Sequence, residues 1–410
     1  MPLNAARLAR DLERIAQATD SPGAGAGRPT FSPSWSEAVD YVVGEARACG
    51  CQVRVTAAGN IHLRPATLDP QQPVWLSGSH LDSVPHGGDY DGIVGVLTPL
   101  EVLRAAREDG ATPPLELVIF AEEEGTTFGL GMLGSRAWAG TLAAARLATL
   151  RNAAGQSYLE AGAAYGVRPD HFDAERLRPA DYLGLVEVHI EQGPGMWKRG
   201  QRVALVTAIA GRRQYQAELQ GAANHAGSTS MADRSDALAG AAEMIGAIET
   251  FAAQLDPRAV ATVGRIACQP NAVNVISGET SLTIDFRAPD DKLLARGDAE
   301  LRARLTAIAQ RRQLRFDLQS VEALPATALS PAVCDRLQQA ATQLGHPLPL
   351  TVSGALHDAA IIAPLLPTAM LFVASRDGIS HNPAEFSRVE DVALAARILY
   401  AMTGAGGGAM

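Results

Sequence analysis

The chain has 410 residues, 47% of them apolar, with a mean hydropathy near zero and a net charge of -9. That length allows two domains and a sizeable core, and the composition is that of an ordinary soluble globular protein. The negative charge argues against a nucleic-acid footprint, no polybasic run offers an anionic membrane a partner, and no stretch of about 18 apolar residues spans a bilayer.

From the amino terminus, the alternating charges of Arg7-Leu-Ala-Arg-Asp-Leu-Glu-Arg14 predict an amphipathic helix over about Asn4–Thr19, unlike the apolar core of a secretion signal. A second helix is expected at Ser34–Ala48, then short strands near Gln52–Thr56 and Asn60–Arg64. An apolar strand, Val74–Ser79, precedes a helix from Gly92 to Asp109, and continuous apolar runs at Leu115–Ala121 and Leu183–Val188 read as buried strands. Buried strands alternating with helices predict an α/β domain with its sheet covered on both faces.

Between residues 211 and 323 the rhythm changes. Strands are expected at Arg213–Gln220, Ala259–Ala267, Thr280–Arg287 and Leu314–Val321, with helices at Asp233–Gln254 and Asp291–Arg311. The order β-α-β-β-α-β is the split, ferredoxin-like unit of an α+β domain. The first rhythm then resumes, with a helix at Pro331–Leu344, a strand at Ala369–Val373 and a helix at Val389–Thr403. The simplest organisation is a discontinuous α/β domain, residues 1–210 and 324–410, interrupted by a smaller domain at 211–323. The glycine-rich end, Gly404–Met410, is expected to fray.

Acids and histidines gather where the apolar strands end. Val74–Ser79 runs into His80-Leu-Asp82 and on to Asp91-Gly92; Leu115–Ala121 into Glu122-Glu123-Glu124; Leu183–Val188 into His189-Ile-Glu191-Gln192. A late loop reads Gly378-Ile-Ser-His381-Asn-Pro383. Ligands of open α/β sheets bind at the carboxyl ends of strands, so these groups can converge there. Stacked acids beside an apolar strand are costly without a cation, and a His/Asp/Glu set lacking Cys suits Zn²⁺, Mn²⁺ or Co²⁺. The four cysteines, Cys49, Cys51, Cys268 and Cys334, form no zinc-type pair and read as reduced thiols of a cytoplasmic protein. Gly129-Leu-Gly131-Met-Leu-Gly134 matches a dinucleotide fingerprint, but seven residues, three of them glutamates, separate it from the strand. A pyrophosphate-binding turn follows its strand at once and faces no acids.

The strings GSHLDSVPHGGDYDG, FAEEEGTTFGLGMLGSR, HIEQGP, NHAGSTSM, PNAVNVISG and GISHNPAE, in this order, resemble the hydantoinase/carbamoylase branch of the M20 metallohydrolases over nearly the whole chain. That branch includes N-carbamoyl-L-amino-acid hydrolases, allantoate amidohydrolases and β-ureidopropionases. The resemblance implies two divalent ions per subunit, held by His80, Asp91, Glu124, His189 and His381, with Asp91 bridging. It makes Glu123 the general base, Asp82 the group that orients His80, and His225 of Asn224-His225-Ala226-Gly227 the donor to the tetrahedral oxyanion. Gln192, Asn274 and Arg287 would bind the substrate carboxylate, Arg287 through a bidentate fork.

The implied partners are a small carboxylate-bearing ureido or amide substrate and a second copy of the chain, in a homodimer formed through the inserted domain. That domain would close as a lid, with hinges near Ala208–Gly211 and Ala323–Ala326. Two departures stand out: Ser353-Gly-Ala-Leu356-His357-Asp358 has Leu356 where the family commonly has Gly, and Ser228-Thr-Ser230-Met231 replaces a TTPM string. The bulk of Leu356 bears on substrate range and leaves the ligand set intact. His357 and Asp358 are expected at most to support the site. Thr30-Phe-Ser-Pro-Ser-Trp35 leans slightly towards allantoate-like substrates. The alternatives are an M20 aminoacylase or dipeptidase acting on an ordinary amide, and a catalytically inactive binding protein on the same scaffold.

Overall fold

The computed structural model describes residues 3–404, so all of the expected frayed tail except Gly404 lies outside the described residues. The chain forms two compact units, Met1–Thr207 with Leu329–Thr351 and His357–Met410, and Ala208–Ala328 with Val352–Leu356.

The first unit is built on a mixed sheet. Its strands are β1 (Cys51–Val55), β2 (Ile61–Pro65), β3 (Val74–His80), β4 (Leu115–Phe120), β5 (Tyr182–Ile190) and β6 (Val203–Ile209). The numbering continues with β7 (Gly211–Gln220), β8 (Val260–Gln269), β9 (Glu279–Ala288), β10 (Arg315–Leu324), β11 (Thr327–Ala328), β12 (Leu350–Ser353) and β13 (Thr368–Val373). The sheet order is β1-β2-β4-β3-β5-β13-β6, with β12 beside β6. Four neighbours, β4, β3, β5 and β13, run parallel. Every residue of β3, β4 and β13 is buried, as expected of strands covered on both faces. Neither β6 nor β12 is among the strands expected from the sequence.

The helices follow their local signals. Ser32 caps the Pro33–Ala48 helix by accepting from the Trp35 backbone N–H, with Pro33 at the first position, where a missing N–H costs nothing. The Ile93–Glu108 helix is buried from Ile93 to Ala106, and the two charges within that stretch are paired, Glu101 with Arg7 and Arg104 with Asp11. Phe31 stacks on Tyr165 and meets Trp35, Phe128 and Tyr158 edge-on, with ring centroids 5.1–6.3 Å apart. Phe31 and Trp35 therefore serve core packing.

The second unit carries β7, a helix at Ala237–Leu255, β8, β9, a helix at Asp291–Arg311 and β10, in that order. Its antiparallel sheet runs β10-β7-β9-β8. Burial along β9 alternates strictly, and the inward residues Leu282, Ile284 and Phe286 join Met244 and Phe251 of the first helix and Leu301 and Leu305 of the second in one core. Asp236 and Asp290 cap the two helices. Among the described residues, no helix is long and apolar enough to cross a membrane.

Candidate metal centre

The four adjacent parallel strands deliver their carboxyl ends to one place in the first unit. His80 is the last residue of β3, Glu122–Glu124 follow β4, His189 lies near the end of β5, and His381 sits in the loop after β13. Asp91 stands between them, just before the Ile93–Glu108 helix. Its Oδ1 lies 3.1 Å from His189 Nε2, and its Oδ2 lies 3.0 Å from His381 Nε2. The ligand atoms of His80, Asp91 and His189 lie within 4.8 Å of one another, as do those of Asp91, Glu124 and His381. Asp91 belongs to both groups, one oxygen towards each.

Local structure orients the donors. His80 donates its Nδ1–H to the Asp82 carbonyl at 2.9 Å, and His189 donates its Nδ1–H to the Ile190 carbonyl at 3.0 Å. A carbonyl only accepts, so both rings turn a basic Nε2 towards the cluster. Gly92 has φ +70°, and a Cβ there would lie 2.5–2.6 Å from the His80 ring, which explains why glycine follows Asp91. Glu122, Gln192 and His381 all adopt left-handed backbone conformations, the local strain that tends to collect at functional sites. Met132, Leu133 and Gly134 donate backbone N–H groups to the carbonyls of Glu123, Glu122 and Ala121. The glycine-rich string that mimics a nucleotide fingerprint thus braces the glutamate turn.

The electrostatics call for a cation. Burial pushes Asp82 up to about 6, Glu122 to about 7 and Glu385 to about 7. Burial and then the neighbouring acids drive Glu123 and Glu124 well above the usual carboxylate range. Asp91 is held low: burial opposes its charge, but His189 and the hydrogen bond from His381 prevail. That hydrogen bond raises His381 to about 9, whereas burial lowers His80 to about 4. Asp91 Oδ1 and Glu124 Oε1 are buried without a hydrogen-bond partner. Orphaned carboxylate oxygens beside inward-facing imidazole nitrogens fit a divalent ion with nitrogen and oxygen ligands.

Comparison with known proteins agrees. A model of peptidase family M20/M25/M40 matches residues 76–404. The chain belongs to that family. It is 36% identical over 396 residues to an N-carbamoyl-L-amino acid amidohydrolase of Geobacillus stearothermophilus, covering 96% of each chain. It is 32% identical to the allantoate amidohydrolase of Escherichia coli strain K12, covering 93% of each. A crystal structure of an amidase of the hydantoinase/carbamoylase family from Burkholderia multivorans matches with a TM-score of 0.92 at 34% identity, over 99% of both chains. Within M20 the chain lies in the hydantoinase/carbamoylase branch, and it is an amidohydrolase acting on C–N bonds other than peptide bonds.

Several contacts in this M20 site differ from the sequence expectation. The Asp82 group that meets His80 Nδ1 closely is the backbone carbonyl; the carboxylate is 3.7 Å away. That carboxylate accepts instead from the Glu123 and Glu124 backbone N–H groups, at 3.3 and 3.1 Å. It therefore sets the glutamate turn while its own backbone sets the histidine. Gln192 donates to Asp91 Oδ2 at 2.8 Å, so its side chain is part of the cluster.

Three residues, Glu385, Glu187 and Arg28, were not expected, and His357, expected at most as support, joins the second of them. Glu385 accepts from the Tyr90 and Asp91 N–H groups at 2.9 and 3.0 Å and from Ser380 at 2.9 Å, tying the Asp91 loop to the His381 loop. It ends the GISHNPAE string, so a signal was present. Glu187 and His357 form a third group with His189, and only the fold reveals it. Buried Arg28 donates to the Leu81 carbonyl at 2.9 Å; burial lowers its pKa, against the opposing pull of Asp89, Asp82, Glu385 and Glu124.

In the second unit, His225 Nδ1 accepts from the Gly227 and Ser228 N–H groups at 3.0 and 3.2 Å, which places the ring proton on Nε2. Asn274 is exposed, and its carbonyl accepts from Ala226 N–H at 3.0 Å. Arg287 already spends its fork on Asp285, at 2.8 and 3.2 Å, and donates Nη1 to the Gly354 carbonyl at 2.8 Å. A free fork is not what the fold provides. Of five guanidinium N–H groups, two are left for another acceptor.

Proposed function

We propose that this chain is a two-metal amidohydrolase that cleaves the carbamoyl C–N bond of an N-carbamoyl amino acid or an allantoate-like ureido acid. Ammonia leaves, and CO₂ as well when a terminal carbamoyl group is fully hydrolysed. The observation that carries this reading is Asp91, set at the meeting of four strand ends with one oxygen towards each of two ligand groups. His80, Asp91 and His189 would hold one ion, and Asp91, Glu124 and His381 the other, whether Zn²⁺, Mn²⁺ or Co²⁺. Ions so held supply Lewis acidity, making water a usable nucleophile near neutral pH.

The chain's own residues do the rest. Glu123 takes a proton from the attacking water and returns it to the departing nitrogen. His225, with its proton on Nε2, is the donor to the developing oxyanion. Gln192, Asn274 and Arg287 receive the substrate carboxylate. We further propose that the second unit serves as the lid and dimerisation domain of a cytoplasmic homodimer. Free thiols at all four cysteines are in keeping with a reducing compartment.

An ammonia-release assay over N-carbamoyl amino acids, allantoate, N-acyl amino acids and dipeptides tests the reaction. Ureido acids should turn over with ammonia release; faster turnover of acyl or peptide substrates would replace this reading with an aminoacylase or dipeptidase.

Arg287→Ala should cost on the order of 2–5 kcal/mol in transition-state binding of a carboxylate substrate, the usual loss when one partner of a buried charge pair goes. A neutral amide analogue should be indifferent to the change. Equal sensitivity of both would assign Arg287 to its Asp285 pair alone.

Glu385→Ala should weaken metal binding about 10–100-fold, the common effect of losing a group that positions a ligand. Competition against a chelator reads this directly; unchanged affinity would show that Asp91 keeps its place without Glu385.

A further inference from the structure

We propose that Cys49 and Cys51 are an oxidisable dithiol that closes to an intrachain disulfide, a modification site remote from the metal centre. Cys49 caps the Pro33–Ala48 helix and Cys51 opens β1. Their sulfurs lie 3.9 Å apart, close enough for one S–H to donate to the other sulfur. Gly50 between them has φ +88°, a turn that folds the two side chains to the same side. The metal ligands sit at the carboxyl ends of the parallel strands. Cys51 lies at the opposite end, since it pairs with Pro65 in β2, whose other end, Ile61, pairs with Ile119 near the end of β4.

The two sulfurs are not equivalent. Cys49 is partly exposed, and its Sγ also lies 3.1 Å from the Ala46 carbonyl. Cys51 is 7% exposed. The hydrogen bond from Cys51 stabilises a Cys49 thiolate, and the Arg104 and Arg107 guanidinium groups act in the same direction. Cys49 is thus the accessible nucleophile and Cys51 the resolving thiol.

With hydrogen peroxide as the oxidant, the Cys49 thiolate attacks one oxygen, the O–O bond breaks, and hydroxide leaves to take up a proton as water. Cys49 is then a sulfenic acid. The Cys51 sulfur attacks the Cys49 sulfur, the S–O bond breaks, and the departing hydroxide takes the Cys51 proton as a second water. Two thiols are oxidised and one peroxide is reduced. A dithiol reductant reverses the bond by exchange.

Trypsin should release both cysteines in one peptide, residues 48–54, because arginine occupies positions 47 and 54. The full-length protein is treated with hydrogen peroxide, alkylated with iodoacetamide under denaturing conditions, and digested. The peptide should lose nearly all alkylation, weigh two hydrogens less than the dithiol form, and recover after dithiothreitol. In Cys51→Ser, Cys49 should instead be trapped by dimedone as a sulfenic acid, with turnover of the untreated variant unchanged. Peroxide-treated wild type in which Cys49 is over-oxidised or joined to a second chain, while Cys51 remains alkylatable, would overturn the proposal. So would a peptide alkylated at both positions.

Discussion

Glu123→Gln is expected to retain its metal and lose turnover by about 10²–10⁴-fold, the usual contribution of a positioned general base. Glu123 belongs to neither group of ligand atoms that brackets Asp91, yet its Oε2 is 3.8 Å from His80 Nε2, at the edge of the cluster. The Asp82 carboxylate fixes its backbone, so the amide variant should hold the same position. Glu124→Gln is the contrasting case. Glu124 shares the second group with Asp91 and His381, and losing its charge should weaken metal binding itself. Metal content measured beside kcat separates the two; equal metal loss in both variants would contradict the division of roles.

Asp91→Asn should have the largest effect of any single substitution, removing both bound metal and turnover. Each of the two groups has three residues, and Asp91 is common to both. Its loss leaves His80 with His189, and Glu124 with His381, each pair short of the ligand number that structural and catalytic sites of such metals require. The amide is nearly isosteric, so a folded variant without metal would assign the effect to charge. Wild-type metal content in Asp91→Asn would show that Asp91 is not shared between ions.

Much of this site is legible in the sequence because burial leaves a local mark. The short, mostly apolar stretches of β3 and β4 announce strands covered on both faces, and a histidine or glutamate set at the end of such a stretch has few inexpensive explanations. The registers that place β4, β3, β5 and β13 side by side are long-range, but the rule that ligands gather at the carboxyl ends of parallel strands stands in for them. Partner choice leaves no such mark. Asp82 sits two residues after His80, yet whether its carboxylate or its carbonyl meets the ring depends on the turn between them. Arg287 and Asp285 share one face of β9, so their pairing follows from the two-residue period of a strand. The aromatic cluster of Phe31 and Trp35 takes shape only when Phe128, Tyr158 and Tyr165 are brought to them from distant parts of the chain. Glu187 and His189 share one face of β5, but His357, just ahead of the Asp358–Ile362 helix, joins them with no sequence spacing to signal it.

The most direct measurement is a metal titration of chelated protein, with ammonia release from a ureido acid followed at each addition. Turnover should be absent without metal and should rise to saturation at two divalent ions per chain. Full turnover in the metal-free chain, or saturation at a single ion, would contradict a dinuclear centre bridged by Asp91.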